Sequence, residues 1–268
     1  MYNSPMPTPY LETAISLARQ AGEIGRSIFV TARESTWKSD NTPVTAADIA
    51  INDLVIREIS RIYPGHAILG EEASQPHEGA DHIWVCDPID GTIPYALGIP
   101  TSAFSLGLVI NGVTEVGVAY DFHADRMYTA ERGKGAFCNG QPLTAFTGTS
   151  LRATVTDVEG LWWSGFPVGE LTELPNLLER EGSKILKVCS MVYAGLLVAR
   201  GELAGMISRG DKPWDVAAMD LIIREAGGCV TDLRGNPLRC DGPIPGSVVC
   251  GAGVQDAYLS LIDEAFGM

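Results

Sequence analysis

The stretch Ile83-Trp84-Val85-Cys86-Asp87-Pro88-Ile89-Asp90-Gly91-Thr92 decides how this chain is read. Its four leading apolar residues form the pattern of a short buried strand, and the strand stops abruptly in acid. Pro88 removes a backbone donor and fixes φ, which favours a turn over continued strand. If Gly91-Thr92 then opens a helix, its free amides face outward as an anion site. The segment would offer carboxylates to a cation and amides to a phosphate within one turn. The plain alternative is a turn whose Asp residues bond their own backbone, and the segment alone leaves both open.

Three other segments also carry acids at element ends. Gly70-Glu71-Glu72 follows the apolar run 67–69, Thr45-Ala46-Ala47-Asp48 opens a helical pattern, and Trp214-Asp215 starts another. Each has a local explanation: a solvated pair of surface acids, a capping-box-like arrangement, a first-turn acid favoured by the helix dipole. Together they gather carboxylates on a chain with 33 acidic against 19 basic side chains, a formal charge of −14. Carboxylates brought together raise one another's pKa, and a bound divalent cation removes that penalty. All-oxygen ligands favour Mg²⁺, Ca²⁺ or Mn²⁺ over zinc.

Around these segments the periodicity predicts helices over 11–30, 46–62, 191–200, 214–226 and 254–266. In the first, Leu11, Ile15, Ala18, Ala21, Ile24 and Ile28 share a stripe; in the second, Ile49, Leu54, Val55, Ile59 and Ile62 do, with Thr45 as N-cap. Short β-rich runs at 104–110, 115–121, 126–131 and 135–138, separated by turns such as Asn111-Gly112 and Asn139-Gly140, predict an antiparallel meander. Beyond residue 141, strands over 154–158, 184–188, 203–207, 229–233 and 247–250 alternate with helices. The expected organisation is an α+β half over 1–145, holding the antiparallel sheet and the main acidic site, and an α/β half over 146–268 that supplies Asp215.

Composition excludes several classes. Hydrophobic residues make up 46% of the chain, which excludes disorder as the main state. No repeat of roughly 20–50 residues is visible, and no apolar run reaches the ~18–20 residues of a spanning helix. Residues 1–10 carry no basic and apolar export pattern. An acidic chain with no basic stripe disfavours nucleic acid. Cys86, Cys138, Cys189, Cys229, Cys240 and Cys250 include no CxxC pair, so they read as core residues of a cytoplasmic protein.

GEE at 70–72, DPIDGT at 87–92 and WDVAAMDLIIREAGG at 214–228, with Lys38 and PVTAAD at 43–48 upstream, resemble the signatures of the inositol monophosphatase-like family of Mg-dependent, Li-sensitive phosphomonoesterases. The resemblance runs from the first helix to the end of the chain. It implies a layered αβαβα sandwich of the inositol monophosphatase/fructose-1,6-bisphosphatase type, a homodimer, and two or three Mg²⁺ per subunit, with Mn²⁺ able to substitute. By position it implies Glu71, Asp87, the Ile89 carbonyl, Asp90 and Asp215 as metal ligands, and Asp48 as the acid linked to a third metal. Thr92, with Asp48 behind it, would orient a metal-activated water for in-line attack, and the Gly91 and Thr92 amides would hold the phosphate. Glu71 and Asp90 count among the catalytic groups, and Asp215, Met191, Ser208 and Arg209 among those lining the substrate pocket. Glu72 and Lys38 receive no role.

The sequence departs from the inositol-specific pattern. Ile93-Pro94-Tyr95 replaces the usual Thr-Asn-Phe, Ser208 stands where a Glu commonly contacts ring hydroxyls, and Met191 where Ala is frequent. Lys212-Pro213-Trp214-Asp215 resembles the form seen in histidinol-phosphate phosphatases. Arg209 and Lys212 could meet a substrate anion or stand as exposed loop cations, and Trp162, Trp163 and Phe166 could stack on a substrate or fill core. The expected substrate is a small phosphorylated metabolite: an inositol phosphate, histidinol phosphate, a nucleoside monophosphate or a sugar phosphate. A bisphosphate phosphatase, which needs a further cationic subsite, and a non-catalytic regulatory binding protein of the same fold are the alternatives.

Overall fold

A computed structural model describes residues 7–29, 36–37, 43–159 and 168–267. Lys38, Trp162, Trp163 and Phe166 lie outside the described residues. In chain order the first half contains α1 (Pro9–Phe29), β1 (Thr36–Trp37), β2 (Pro43–Val44), α2 (Ala46–Ile62), β3 (Ala67–Gly70), β4 (His82–Asp90), α3 (Thr92–Leu97), β5 (Ala103–Ile110), β6 (Val113–Asp121), β7 (Arg126–Glu131), β8 (Ala136–Cys138) and β9 (Gln141–Pro142). The second contains β10 (Thr154–Glu159), α4 (Val168–Arg180), β11 (Ser183–Leu186), α5 (Met191–Ala199), β12 (Gly205–Arg209), α6 (Pro213–Glu225), β13 (Gly228–Thr231), β14 (Gly246–Gly251) and α7 (Gln255–Phe266). Strands β3 to β9 make a seven-stranded sheet in chain order, antiparallel except for the β3–β4 pair. The second sheet is ordered β11-β10-β12-β14-β13, with β10 parallel to both neighbours.

Side-chain alternation assembles these sheets into five layers. On β5, Phe104, Leu106 and Leu108 face a core shared with α1 and α2, while Ala103 and Val109 face a core shared with α5 and α6. On β14, Val249 joins that same middle core, while Val248 and Cys250 turn to α4 and α7. Both sheets are covered on both faces, which is why their strands read as nearly continuous apolar runs. The order is α1/α2, seven-stranded sheet, α5/α6, five-stranded sheet, α4/α7: the αβαβα sandwich expected from sequence. Because Val85, Val109, Met206 and Val249 belong to one cluster, the two halves share their central core.

Close backbone approach seats α6 on the first sheet. A Cβ at Gly117 would lie 2.7 Å from the Ala218 carbonyl oxygen, so only glycine lets the helix settle on β6. Gly117→Ala is expected to cost about 1–3 kcal/mol through overpacking, read as a lower midpoint in urea unfolding with an unchanged slope.

Four details differ from the sequence reading. The strand does not stop at Cys86: β4 continues through Pro88 to Asp90, absorbing the proline in a bulge. The buried face of α2 runs through Ala47, Ile51, Leu54, Val55 and Ile59. Ile49 and Ile62 stand 52% and 40% exposed; Ile49 lies about 200° around the helix from Ile51, at roughly 100° per residue, and so points away from β4. In α1 the fully buried positions are mostly small, including Ala14, Ala18, Ala21, Gly22 and Gly25, while Ile15, Ile24 and Ile28 are partly buried at the edge of the core. Helix α4 occupies a stretch for which the periodicity predicts no element. Among the described residues, no helix is long and apolar enough to cross a membrane, and the six cysteines are all unpaired.

Candidate active site

The bulge in β4 builds the centre of the site. Asp87 pairs with Ser105 and Asp90 with Ala103, so three steps on β4 oppose two on β5. Pro88 lies in that interval and cannot donate to the ladder. In a regular strand, residues three apart point to opposite faces; the bulge brings both carboxylates to one side. Gly91 follows with φ +83°, and a Cβ there would meet Ser190 Cβ at 2.8 Å and the Thr101 carbonyl at 2.9 Å. Conformation and space both require glycine, and α3 opens at Thr92 as the sequence predicts.

Two helix starts deliver further acids. Asp48 closes a capping box: its Oδ2 accepts from the Thr45 amide at 2.7 Å and from Thr45 Oγ1 at 2.5 Å. Its other oxygen lies 3.5 Å from Thr92 Oγ1, which is also 3.1 Å from the Ile89 carbonyl, so one hydroxyl proton has two acceptors. Asp215 stands in the first turn of α6, where its Oδ2 accepts from the Lys212 amide at 2.7 Å. The local capping explanations are therefore real, and these acids also converge: ligand oxygens of Asp87, Asp90 and Asp215 lie within 4.8 Å of one another. Glu71, just past β3, donates its amide to the Cys86 carbonyl at 3.2 Å, beside Asp87.

Electrostatics mark the cluster as incomplete without a cation. Burial pushes the Asp87 carboxyl well above the usual range, and the charges of Glu71, Asp90, Asp215 and Asp48 push it further. Asp87 Oδ1 is buried without a hydrogen-bond partner. Burial raises Asp90 to about 7 against the hydrogen bonds from Ser190 and from the amides of Tyr193, Met191 and Val192. Asp48 is also raised by burial to about 7, against its bonds from Thr45. Asp215 is pushed well up by burial, then by Asp211 and Asp90. A buried, mutually repelling, all-oxygen donor set with an orphaned oxygen fits a hard divalent cation.

The remaining predicted residues fall in different places. The Met191 amide donates to Asp90 Oδ1 at 3.1 Å. Ser208 is fully buried, its hydroxyl donating to Asp211 Oδ2 at 2.7 Å and lying 2.9 Å from Ser247 Oγ. The Arg209 guanidinium sits 4.5 Å over the Phe266 ring of α7, on the opposite side of β12 from Ser208, so the structure does not bring it to the acids. Lys212 is exposed. The charge of Glu72 reaches Asp48. Sequence reasoning missed Ser190 and Asp211. Ser190 caps α5, accepts from the Tyr193 amide at 3.3 Å, and donates its hydroxyl to Asp90. A serine before an apolar helical run is a readable cap, but its contact with a residue 100 positions away has no local signal.

The fold and the acid cluster define a layered α/β protein with a candidate metal centre at its middle layer. The inositol monophosphatase family matches residues 6–264. A protein named Nus factor SuhB from Pasteurella multocida is 35% identical over 243 residues, covering 85% of this chain and 86% of that protein. A histidinol-phosphatase from Chlorobaculum parvum is 34% identical over 241 residues, covering 88% and 90%. The solved structure of an IMPase from Thermotoga maritima superposes with a TM-score of 0.87 at 26% identity, covering 97% of this chain and 99% of that one. The chain belongs to the inositol monophosphatase family.

Proposed function

We propose that the protein is a Mg²⁺-dependent phosphomonoesterase acting on a small phosphorylated metabolite. The observation that carries this reading is the convergence of Asp87, Asp90 and Asp215 beside the Thr92–Asp48 pair. Glu71, Asp87, the Ile89 carbonyl, Asp90 and Asp215 would hold the metal, with Asp48 beside a further one. Bound there, Mg²⁺ supplies positive charge that offsets the phosphoryl oxygens and makes water a usable nucleophile near neutral pH. The chain's own groups do the rest. Thr92 Oγ1 orients the attacking water, and Asp48, with an oxygen 3.5 Å from that hydroxyl, is placed to take a proton relayed through it. The Gly91 and Thr92 amides hold the phosphate.

On the substrate, Ser208 is turned into a buried hydroxyl network, which supports a substrate other than an inositol phosphate. The name of the Chlorobaculum relative and the Lys212-Pro213-Trp214-Asp215 stretch support histidinol phosphate first. Leu97 and Ile99, 70% and 47% exposed at the end of α3, support a homodimer that covers them. The test is phosphate release from histidinol phosphate, inositol phosphates, AMP and hexose phosphates, with and without Mg²⁺. Release from one compound that requires Mg²⁺ establishes the activity. Mg²⁺ binding with no release from any compound points to a substrate outside the panel; no release and no Mg²⁺ binding favours the second reading, a regulatory role, which the name of the Pasteurella relative supports.

A further inference from the structure

We infer that Asp157 and Glu159, at the end of β10, are positioning residues for the Asp90 carboxylate; the inference rests on the metal-site reading above. Alternation puts Val158 in the outer core with α4 and α7, so Asp157 and Glu159 face the other way. On β12 Asp157 pairs with Met206, a middle-core residue, and Glu159 with the buried Ser208. Two acids in an apolar layer are costly: Asp157 is fully buried with one oxygen unpartnered, and Glu159 is 6% exposed. Burial and the neighbouring Glu159 raise Asp157 to about 8, while the Lys187 charge favours ionisation of both.

What the pair holds explains its position. The ladder between β10 and β11 ends at Asp157 and Leu186. The chain then leaves the sheet, and two consecutive amides beyond the ladder go to the acids. Val188 N–H donates to Asp157 Oδ2 at 2.8 Å, and Cys189 N–H to Glu159 Oε1 at 2.5 Å. Cys189 is held at φ +59°, a conformation that costs a side-chain-bearing residue roughly 1–2 kcal/mol and persists where its surroundings impose it. The next residue is Ser190, whose hydroxyl donates to Asp90, followed by the Met191, Val192 and Tyr193 amides that reach the same carboxylate. Strap and cradle are one continuous segment, so the acids on β10 set where the Asp90 oxygens point.

Calorimetric titration with Mg²⁺ alone tests this on the full chain. Glu159→Ala, which frees the Cys189 amide, is expected to weaken binding about tenfold, the scale of losing a supporting hydrogen bond behind a metal ligand. Glu159→Gln keeps an acceptor oxygen and should bind as the wild type does. With a substrate in hand, Glu159→Ala should raise the Mg²⁺ concentration for half-activity and leave KM at saturating Mg²⁺ unchanged. Wild-type Mg²⁺ affinity in Glu159→Ala, even with a lowered melting temperature, would overturn the inference. If that variant does not fold, Asp157→Ala releases the Val188 amide alone, and wild-type affinity there overturns it equally. Failure of the unaltered protein to bind Mg²⁺ would instead remove the metal-site reading on which the inference stands.

Discussion

Asp90→Asn is expected to lower Mg²⁺-dependent phosphate release on the order of 10²–10³-fold, the loss typical when one preorganised charge-stabilising group is removed. The metal-free variant should nevertheless melt no lower than the wild type at pH 8. The opposite directions follow from one carboxylate. Asp90 Oδ2 accepts from the Val192 amide at 2.9 Å, the Tyr193 amide at 3.4 Å and the Ser190 hydroxyl, and an asparagine oxygen can keep that side. The NH₂ group then faces the Met191 amide, which loses its 3.1 Å bond, at a cost of about 1 kcal/mol. Against this, a carboxyl raised from 3.8 to about 7 and ionised at pH 8 carries roughly 4 kcal/mol of unfavourable free energy without a cation. The second effect is larger, so the charge that would bind metal is the charge that strains the empty fold. Thermal melts in EDTA at pH 8, beside phosphate-release assays in Mg²⁺, read both halves. A variant that melts far lower would mean that Asp90 serves α5 rather than a cation; full turnover in a folded variant would remove it from the chemistry.

Much of this arrangement was legible because its signals are local. Helix α2 begins and ends where Thr45 and Pro64-Gly65 mark it, and strand β7 falls at 126–131 as its pattern predicts. Asp48, Glu71, Asp90 and Asp215 sit at element ends, and element ends are what propensity and capping reveal. Helix α4 was missed because Pro175 lies inside it, and an interior proline argues against helix from sequence; burial of Leu174, Leu177 and Leu178 against α7 and β14 outweighs that cost. The face of α2 was misjudged because Ile49 and Ile62 are apolar, and only the neighbouring layers decide which side is covered. The support behind Asp90 was not legible for a third reason. Asp157, Glu159 and Ser190 act through contacts 30 to 100 residues apart, and no spacing encodes them. The alternating Thr156-Asp157-Val158-Glu159 did carry a hint, since it places two acids on one face of a strand otherwise suited to core.

Magnesium is expected to raise the melting temperature, and to raise it more at pH 8 than at pH 5. Asp48 and Asp90 are held at about 7, and Asp87 and Asp215 well above their ordinary range. Groups with raised carboxyl pKa favour the folded state at low pH, where they stay protonated. That stability is lost as pH rises from about 4, where the unfolded chain ionises, through the folded values. His66 and His123 work in the opposite sense: burial lowers both, so their contribution is lost as pH falls below about 6.5. They are two partly buried groups against four crowded carboxylates, so the acids dominate between pH 6 and 8. A cation among the ionised acids cancels their repulsion, whereas at pH 5 it must displace protons to bind. At a hundredfold excess over its dissociation constant, the cation would contribute about 2.7 kcal/mol, or roughly 5–10 °C for a chain of this size. Asp157 is raised to about 8 through its own neighbours, away from the cluster, so part of the alkaline loss should survive saturation with Mg²⁺. Melting curves at both pH values, in EDTA and in Mg²⁺, separate these contributions. Equal shifts at pH 5 and pH 8 would mean that protons do not compete with the cation, and that it binds somewhere other than these four carboxylates.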